Sequence, residues 1–357
     1  MREDVTVAVG TVKGAFLLRG GAVEGPLFKG ERVPAFAFDT RSTPARMLAG
    51  STSDWWGSGL RFSDDGGQSW SDPETRPLRF PAETGASLGQ VWQIQPSTPA
   101  APETVFAGVE PAALFRSDDR GETWALVRGL WDHPHRPQWQ PGFGGLGLHT
   151  ILIDPRDPAQ LLVAISAGGV YRSDDGGETW TARNVNVPLG DDPSARPEFG
   201  QCVHKVSRDA EDPDRLFMQN HGGLFRSDDR ADTWDDIAVD VPSDFGFPMV
   251  THPRVGNTAF AIPLDPSYRC VPDAKCLVWR TRDGGDSWQP LGAGLPQQGA
   301  HFTVLRDAFC HDGADPLGLY FGTRTGQVYS SMDEGESWEL LVEHLPAVLC
   351  VRAAAIG

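Results

Sequence analysis

The chain has 357 residues, with Gly 41, Pro 29 and Trp 12, and a formal net charge of −17. That length fits one large domain or two ordinary ones. The acidic balance argues against a nucleic-acid partner, because phosphate binding needs clustered Lys and Arg. No stretch has a long amphipathic period, and short apolar runs punctuated by Gly and Pro predict an all-β class.

The opening segment, MREDVTVAVGTVKGAF, places two acids ahead of any apolar run. It reads as neither signal peptide nor membrane span, so the expected location is the cytoplasm, with no membrane partner. Residues 1–30 then hold three strand-like runs, VTVAVG, GAFLLR and AVEGPLF. From residue 31 to 345 an eight-residue motif recurs six times. It reads SDDGGQSW from Ser63, SDDRGETW from Ser117 and SDDGGETW from Ser173, then SDDRADTW from Ser227, TRDGGDSW from Thr281 and SMDEGESW from Ser331. Successive starts lie 54, 56, 54, 54 and 50 residues apart. A repeat at that period signals stacked supersecondary units.

Around each motif the order is constant: strand A, an Asp/Pro-rich turn, strand B, strand C, the motif, strand D. Four antiparallel strands per 50-odd residues make a propeller blade. The chain ends in PAVLCVRAAAIG, a lone strand A. Joined to the three strands of residues 1–30, residues 346–354 complete a seventh blade and remove an open sheet edge. The expectation is one domain over residues 1–357, a seven-bladed β-propeller of four-stranded blades. Six blades with an N-terminal extension is the alternative.

The motif's residue types explain its recurrence. Asp65, Asp119, Asp175, Asp229, Asp283 and Asp333 take its third position, where a carboxylate can accept the turn's own N–H groups. Glycine follows two residues later, where a left-handed φ costs it little, and the closing Trp supplies apolar surface. These aspartates therefore read as structural, neither catalytic nor calcium-binding. Ala231 breaks the glycine rule in the fourth copy, so that turn is expected to be altered.

Six motifs in register resemble the Asp-box, or BNR-repeat, propeller superfamily over essentially the whole chain. It includes sialidases, xyloglucan-cleaving glycosidases, sortilin-type receptors and a photosystem II assembly factor. A sialidase resemblance would imply six blades, an Arg triad, a Tyr nucleophile and an F/Y-R-I-P motif, where this chain reads KGAFLLRG. Of four tyrosines, only Tyr268 lies outside repeat strands. The xyloglucan-cleaving resemblance implies two seven-bladed rings facing each other, with one carboxylate from each. The photosystem factor, a lone seven-bladed ring, is nearest in size but is exported. The repeat is a folding element shared by enzymes and binders, so it does not fix function.

Function is expected on the face opposite the boxes, where the B–C and D–A loops gather. Five tryptophans outside box and strand fall there: Trp55 and Trp56 in a B–C loop, Trp131 and Trp139 in a D–A loop, and Trp92 near the start of a strand A. Indoles on a rim suit flat apolar faces such as sugar rings; packing against the ring is the other reading. His149, His204 and His301 sit near the starts of A strands, His221 in a B–C turn, and His133 and His135 between Trp131 and Trp139. Converging imidazoles offer metal ligation or proton transfer. Strands A converge by construction, however, so channel lining is the reading adopted, with no metal or cofactor expected. Arg324, Arg136, Arg269, Lys205, Lys275 and Glu198 are charged residues of the same face. Glu110 and Asp54 are the candidate catalytic carboxylates, and a glycosidase needs two about 5–10 Å apart. The main expectation is a scaffold binding a small-molecule or carbohydrate ligand, or a protein partner, through this face. The alternative is a glycoside hydrolase, not a true sialidase. Five cysteines read as thiols in a reducing compartment, with Cys270 and Cys276 able to pair or to share a metal.

Overall fold

The structure is a computed structural model, and it describes residues 1–75, 78–142, 144–190, 192 and 194–356. Seven antiparallel sheets form the blades of one closed ring. In blade 1 the C-terminal strand Val348–Ala355 pairs with Val5–Thr11, followed by Gly14–Arg19 and Ala22–Leu27. The register runs from Val5 opposite Ala355 to Thr11 opposite Val348, so the last strand A closes the ring as the sequence predicts. Blades 2 to 7 open with strands A Arg32–Asp39, Gln90–Pro96, Leu148–Ile153, Val203–Arg208, Gly246–Thr251 and Phe309–His311. Each of these strands touches the strand A of the blade before and after it, and together they wall a central channel.

The box chemistry recurs in blades 2 to 7. In the second box Asp119 Oδ1 accepts from Ser117 Oγ at 2.7 Å, Glu122 N at 3.0 Å and Thr123 N at 2.8 Å, and Oδ2 accepts from Thr123 Oγ1 at 2.5 Å. Gly177 shows why glycine is preferred: its φ is +98°, and a Cβ there would stand 2.9 Å from Val127 Cγ1. Contrary to expectation, the fourth box is not rebuilt. Ala231 takes φ +71° and keeps its N–H on Ser227 Oγ at 2.8 Å. The surrounding bonds hold a left-handed alanine at a cost of about 1–2 kcal/mol.

Adjacent blades are latched by arginines that reach the box turn of the next blade. Arg19 donates to the Gly66 carbonyl, Arg46 to Arg120, Arg172 to Arg230, Arg226 to Gly284 and Arg280 to Glu334, at 2.7–3.1 Å. All five acceptors hold the fourth box position. Box and latch together fix the spacing of the blades.

Blade 2 departs from the four-strand pattern. Its strands are Arg32–Asp39, Arg46–Ser53 and Gly57–Ser63. A fourth begins, with Ser71 N donating to Phe62 O at 2.8 Å. Pro73 then packs on Gly59 and has no N–H to offer the ladder. Among the described residues no further pairing follows, and a cleft of about 710 Å³ lies along the edge, lined by Trp56, Arg61, Leu78 and Phe80.

The sequence option of a Cys270–Cys276 pair is not realised, since all five cysteines are free. Cys276 points into the apolar core, and burial pushes its thiol up to about 12. No helix among the described residues is long and apolar enough to cross a membrane.

The box carboxylates make stability acid-sensitive. Hydrogen bonds from the Thr179 side chain and backbone and from Ser173 hold Asp175 at about 2, against 3.8 for the unperturbed group. A depressed folded value contributes stability above 3.8 that is lost as pH falls towards 2. Urea midpoints are expected to be level from pH 7 to 5 and to fall between pH 4 and 2. Asp119→Ala should cost about 1–3 kcal/mol at pH 7.

Candidate functional site

The strands A do more than wall the channel, because six of the seven carry a β-bulge near the end that faces the B–C and D–A loops. The residues skipped in the register are Leu349, Val33–Pro34, Trp92, His149, His204 and Phe247–Pro248. A bulge re-aims the side chain it carries. Pro34, Trp92, Phe247 and Leu349 all line one cavity of about 600 Å³ at the channel mouth.

The mouth is cationic although the chain is acidic. Arg32, Arg269, Arg306 and Arg324 line it, against Asp307 alone among the acids of the lining. Deeper in, Asp307 is buried and accepts from Lys205 Nζ at 2.9 Å, while Arg352 bonds both its carboxylate and its carbonyl. Burial alone would raise the Asp307 carboxyl, but Lys205 and Arg352 hold it well below the usual range. Asp307 is thereby committed to the closing strand and to blade 5.

Arg306, its neighbour, is half-buried on the channel wall beside the mouth. Its guanidinium stands 4.9 Å from the Trp92 ring centroid, a cation–π distance. Its Nε is buried without a hydrogen-bond partner among the described residues. His149 Nε2 and the Asn220 amide are orphaned in the same way. Burial, then Arg306 and Lys205, push His149 well below its ordinary value, so its imidazole is neutral. Buried orphan donors and acceptors of this kind are normally met by water or a ligand.

The candidate carboxylates occupy different settings. Glu110, at the end of Val105–Glu110, accepts from Trp92 Nε1 at 3.2 Å and orients that indole. Gly147 lets the ring approach, since a Cβ there would stand 2.3 Å from Trp92 Nε1. Asp54 stands on an exposed B–C tip, 3.8 Å from Arg32. Trp55 and Trp56 beside it are 87% and 81% exposed. Trp131 and Trp139 belong to packing instead. Trp131 meets Phe80 at 4.9 Å under the Arg136 guanidinium, and Trp139 is buried with its Nε1 donating to Tyr171 Oη at 2.8 Å. His133 and His135 share that second cluster with Tyr171. His301 and Tyr268 are exposed, 6.2 Å apart between ring centroids.

His204 and His221 do converge, at 5.6 Å between rings, with Cys202 beside them. Burial, then Arg306, push His204 down to about 3. Arg324 lies at the mouth as the sequence suggests. Arg32, Arg306 and Asp307 were not singled out by the sequence; their only signal is charge next to a strand A.

The chain is therefore a seven-bladed Asp-box β-propeller with a cationic channel mouth. Residues 171–182 match the BNR/Asp-box repeat model. An oligoxyloglucan-reducing end-specific xyloglucanase of Emericella nidulans is 26% identical over 300 residues, 75% of this chain and 34% of that protein. A xyloglucanase of Acetivibrio thermocellus is 25% identical over 268 residues, 66% and 30% respectively. The chain thus spans about a third of the length of these curated relatives. Among solved structures, YCF48 of Cyanidioschyzon merolae superposes with a TM-score of 0.56 at 14% identity, covering 90% of this chain and 88% of that one. An ancestral GH74 enzyme gives 0.58 at 16% identity, covering 84% of this chain and 37% of its own. A YCF48 bound to a peptide gives 0.55 at 13%, covering 95% and 86%. These likenesses concern the fold.

Removing Asp307 would leave Lys205 and Arg352 buried without their partner. Asp307→Ala is expected to destabilise the ring by about 3–5 kcal/mol, read from chemical denaturation at pH 7.

Proposed function

We propose that this chain is a binding propeller that captures an anionic group, a carboxylate on a small molecule or on a protein segment, at its channel mouth. The observation that carries the reading is the lining of four arginines against one aspartate in a chain of net charge −17. Guanidinium forks match carboxylates bidentately. With Asp307 engaged by Lys205 and Arg352, Arg306 is left facing the cavity with Trp92 stacked on it. The rigid ring supplies a preorganised site and needs no chemistry of its own. The YCF48 structure with a bound peptide makes peptides a sensible first probe, although it transfers no site. Five free thiols support a reducing compartment, and we place the protein in the cytoplasm on that basis.

Isothermal titration with pools of short peptides, free-acid against C-terminally amidated, tests this. Free-acid or Asp/Glu-bearing ligands should bind, more weakly at high salt, and Arg306→Gln should weaken binding at least tenfold. Equal binding of neutral ligands, or none lost in Arg306→Gln, would sink the idea.

A second reading rests on Trp55 and Trp56, two adjacent exposed indoles beside Asp54, together with the xyloglucanase relatives. Here the B–C tip is a sugar platform, and hydrolysis would use Asp54 and Glu110. Incubation with xyloglucan oligosaccharides followed by mass spectrometry should then give products that vanish in Asp54→Asn and in Glu110→Gln.

A further inference from the structure

Cys202, His204 and His221 place three ligand-type atoms within 4.8 Å of one another, on the loop-bearing face of blade 5. Cys202 directly precedes strand Val203–Arg208, and His204 is the bulged residue of that strand. The bulge turns His204 to the same side as Cys202, whose Sγ lies 3.7 Å from His204 Nε2. His221 arrives from the turn after Leu216–Asn220.

The bonding of His204 sets its tautomer. Its Nδ1 lies 2.5 Å from the Gly246 carbonyl, which can only accept, so Nδ1 carries the proton. Its Nε2 therefore presents a lone pair, 3.7 Å from Cys202 Sγ. An imidazole fixed by a backbone carbonyl, with the other nitrogen bare, is the usual form of a metal-ligating histidine. Metal bond lengths of about 2.3 Å to sulfur and about 2.0–2.1 Å to nitrogen imply a tetrahedral S···N separation of about 3.6 Å. The observed 3.7 Å matches it. The remaining separations are no more than 4.8 Å. Phe245 and Phe247 flank His204, with ring centroids 5.4 and 4.9 Å from it, while Cys202 and His221 are only half-buried.

We propose that Cys202, His204 and His221 form a three-ligand site for a borderline-soft divalent ion of the zinc class, with its fourth position open to solvent or an exogenous ligand. Three protein ligands and one open position are the pattern of reactive rather than purely structural zinc. A thiolate with two imidazoles selects zinc or cobalt over the hard ions magnesium and calcium. Burial pushes the Cys202 thiol up and Arg306 and Arg269 offset this only in part, so the bound cation itself would have to draw off the proton. The two arginines also oppose a second cation nearby, which an anionic fourth ligand would relieve.

The inference stands apart from capture of an anion at the mouth, because it is tested with the metal alone. Chelator-treated full-length protein is titrated with Zn(II) and with Co(II), and retained metal is measured after gel filtration. One equivalent per chain is expected, and the Co(II) form should show a thiolate charge-transfer band with the strong visible bands of four-coordination. Cys202→Ser should abolish the charge-transfer band and weaken binding at least tenfold. His221→Gln, on a surface turn, should weaken binding similarly while leaving the metal-free thermal midpoint at the parent value. No retained metal, a charge-transfer band that survives Cys202→Ser, or unchanged affinity in a folded His221→Gln would each overturn the site.

Discussion

Asp307 sits where the ring closes and where the channel opens, and much of the structure follows from how its charge is used. Its carboxylate holds Lys205 of blade 5 and Arg352 of the closing strand, so it ties the C-terminus to a distant blade. In an interior of low dielectric such a cluster is costly to assemble and costlier to break. It leaves the channel with more positive than negative charge, because Arg306 lies beside the same carboxylate and stacks on Trp92. Closure of the fold and the cationic character of the mouth therefore share one residue.

The box turns and the arginine latches lie on the opposite face and explain why the mouth can differ from blade to blade. Each latch joins one blade to the box turn of the next, so ring geometry is fixed without help from the B–C and D–A loops. The bulges near the mouth exploit that freedom. Trp92, His149, His204 and Phe247 are each skipped by the ladder, and between them they present an indole, two imidazoles and a phenyl ring. A regular scaffold thus presents an irregular surface, as rigid frames with functional loops generally do.

The architecture was legible because its signal is local. Ser63, Asp65, Gly67 and Trp70 contact one another within eight residues, so spacing alone reveals the turn. The truncated edge of blade 2 was not read from the sequence, and Pro73 alone does not mark it, since the strands Ala22–Leu27 and Gln289–Leu291 also contain a proline. The site was less visible because it is assembled from residues distant in sequence. Trp131 and Trp139 look like Trp92 in sequence, and only packing against Phe80 and Tyr171 separates them. Arg306 and Asp307 precede a short strand whose register no pattern fixes, so nothing marked them as channel residues. Cys202 and His204 show their spacing openly, whereas His221 joins them only through the B–C turn.

The shape of this ring's mouth bears on the manner of recognition under the anion-capture proposal. The xyloglucan-cleaving resemblance implies a cleft between two facing rings, long enough for a polymer to lie along it. The ring described here offers a concave mouth of about 600 Å³, walled by strand ends from around the ring. A mouth of that shape suits end-on entry of a compact group more than lateral binding of a chain. Its guanidinium groups supply directional donors, and the Trp92 face supplies apolar contact. Glu110 is occupied in orienting that face. If it turns out to act as an acid or base instead, the Trp92 indole must first release it, and catalysis would then require a rearrangement that simple capture does not.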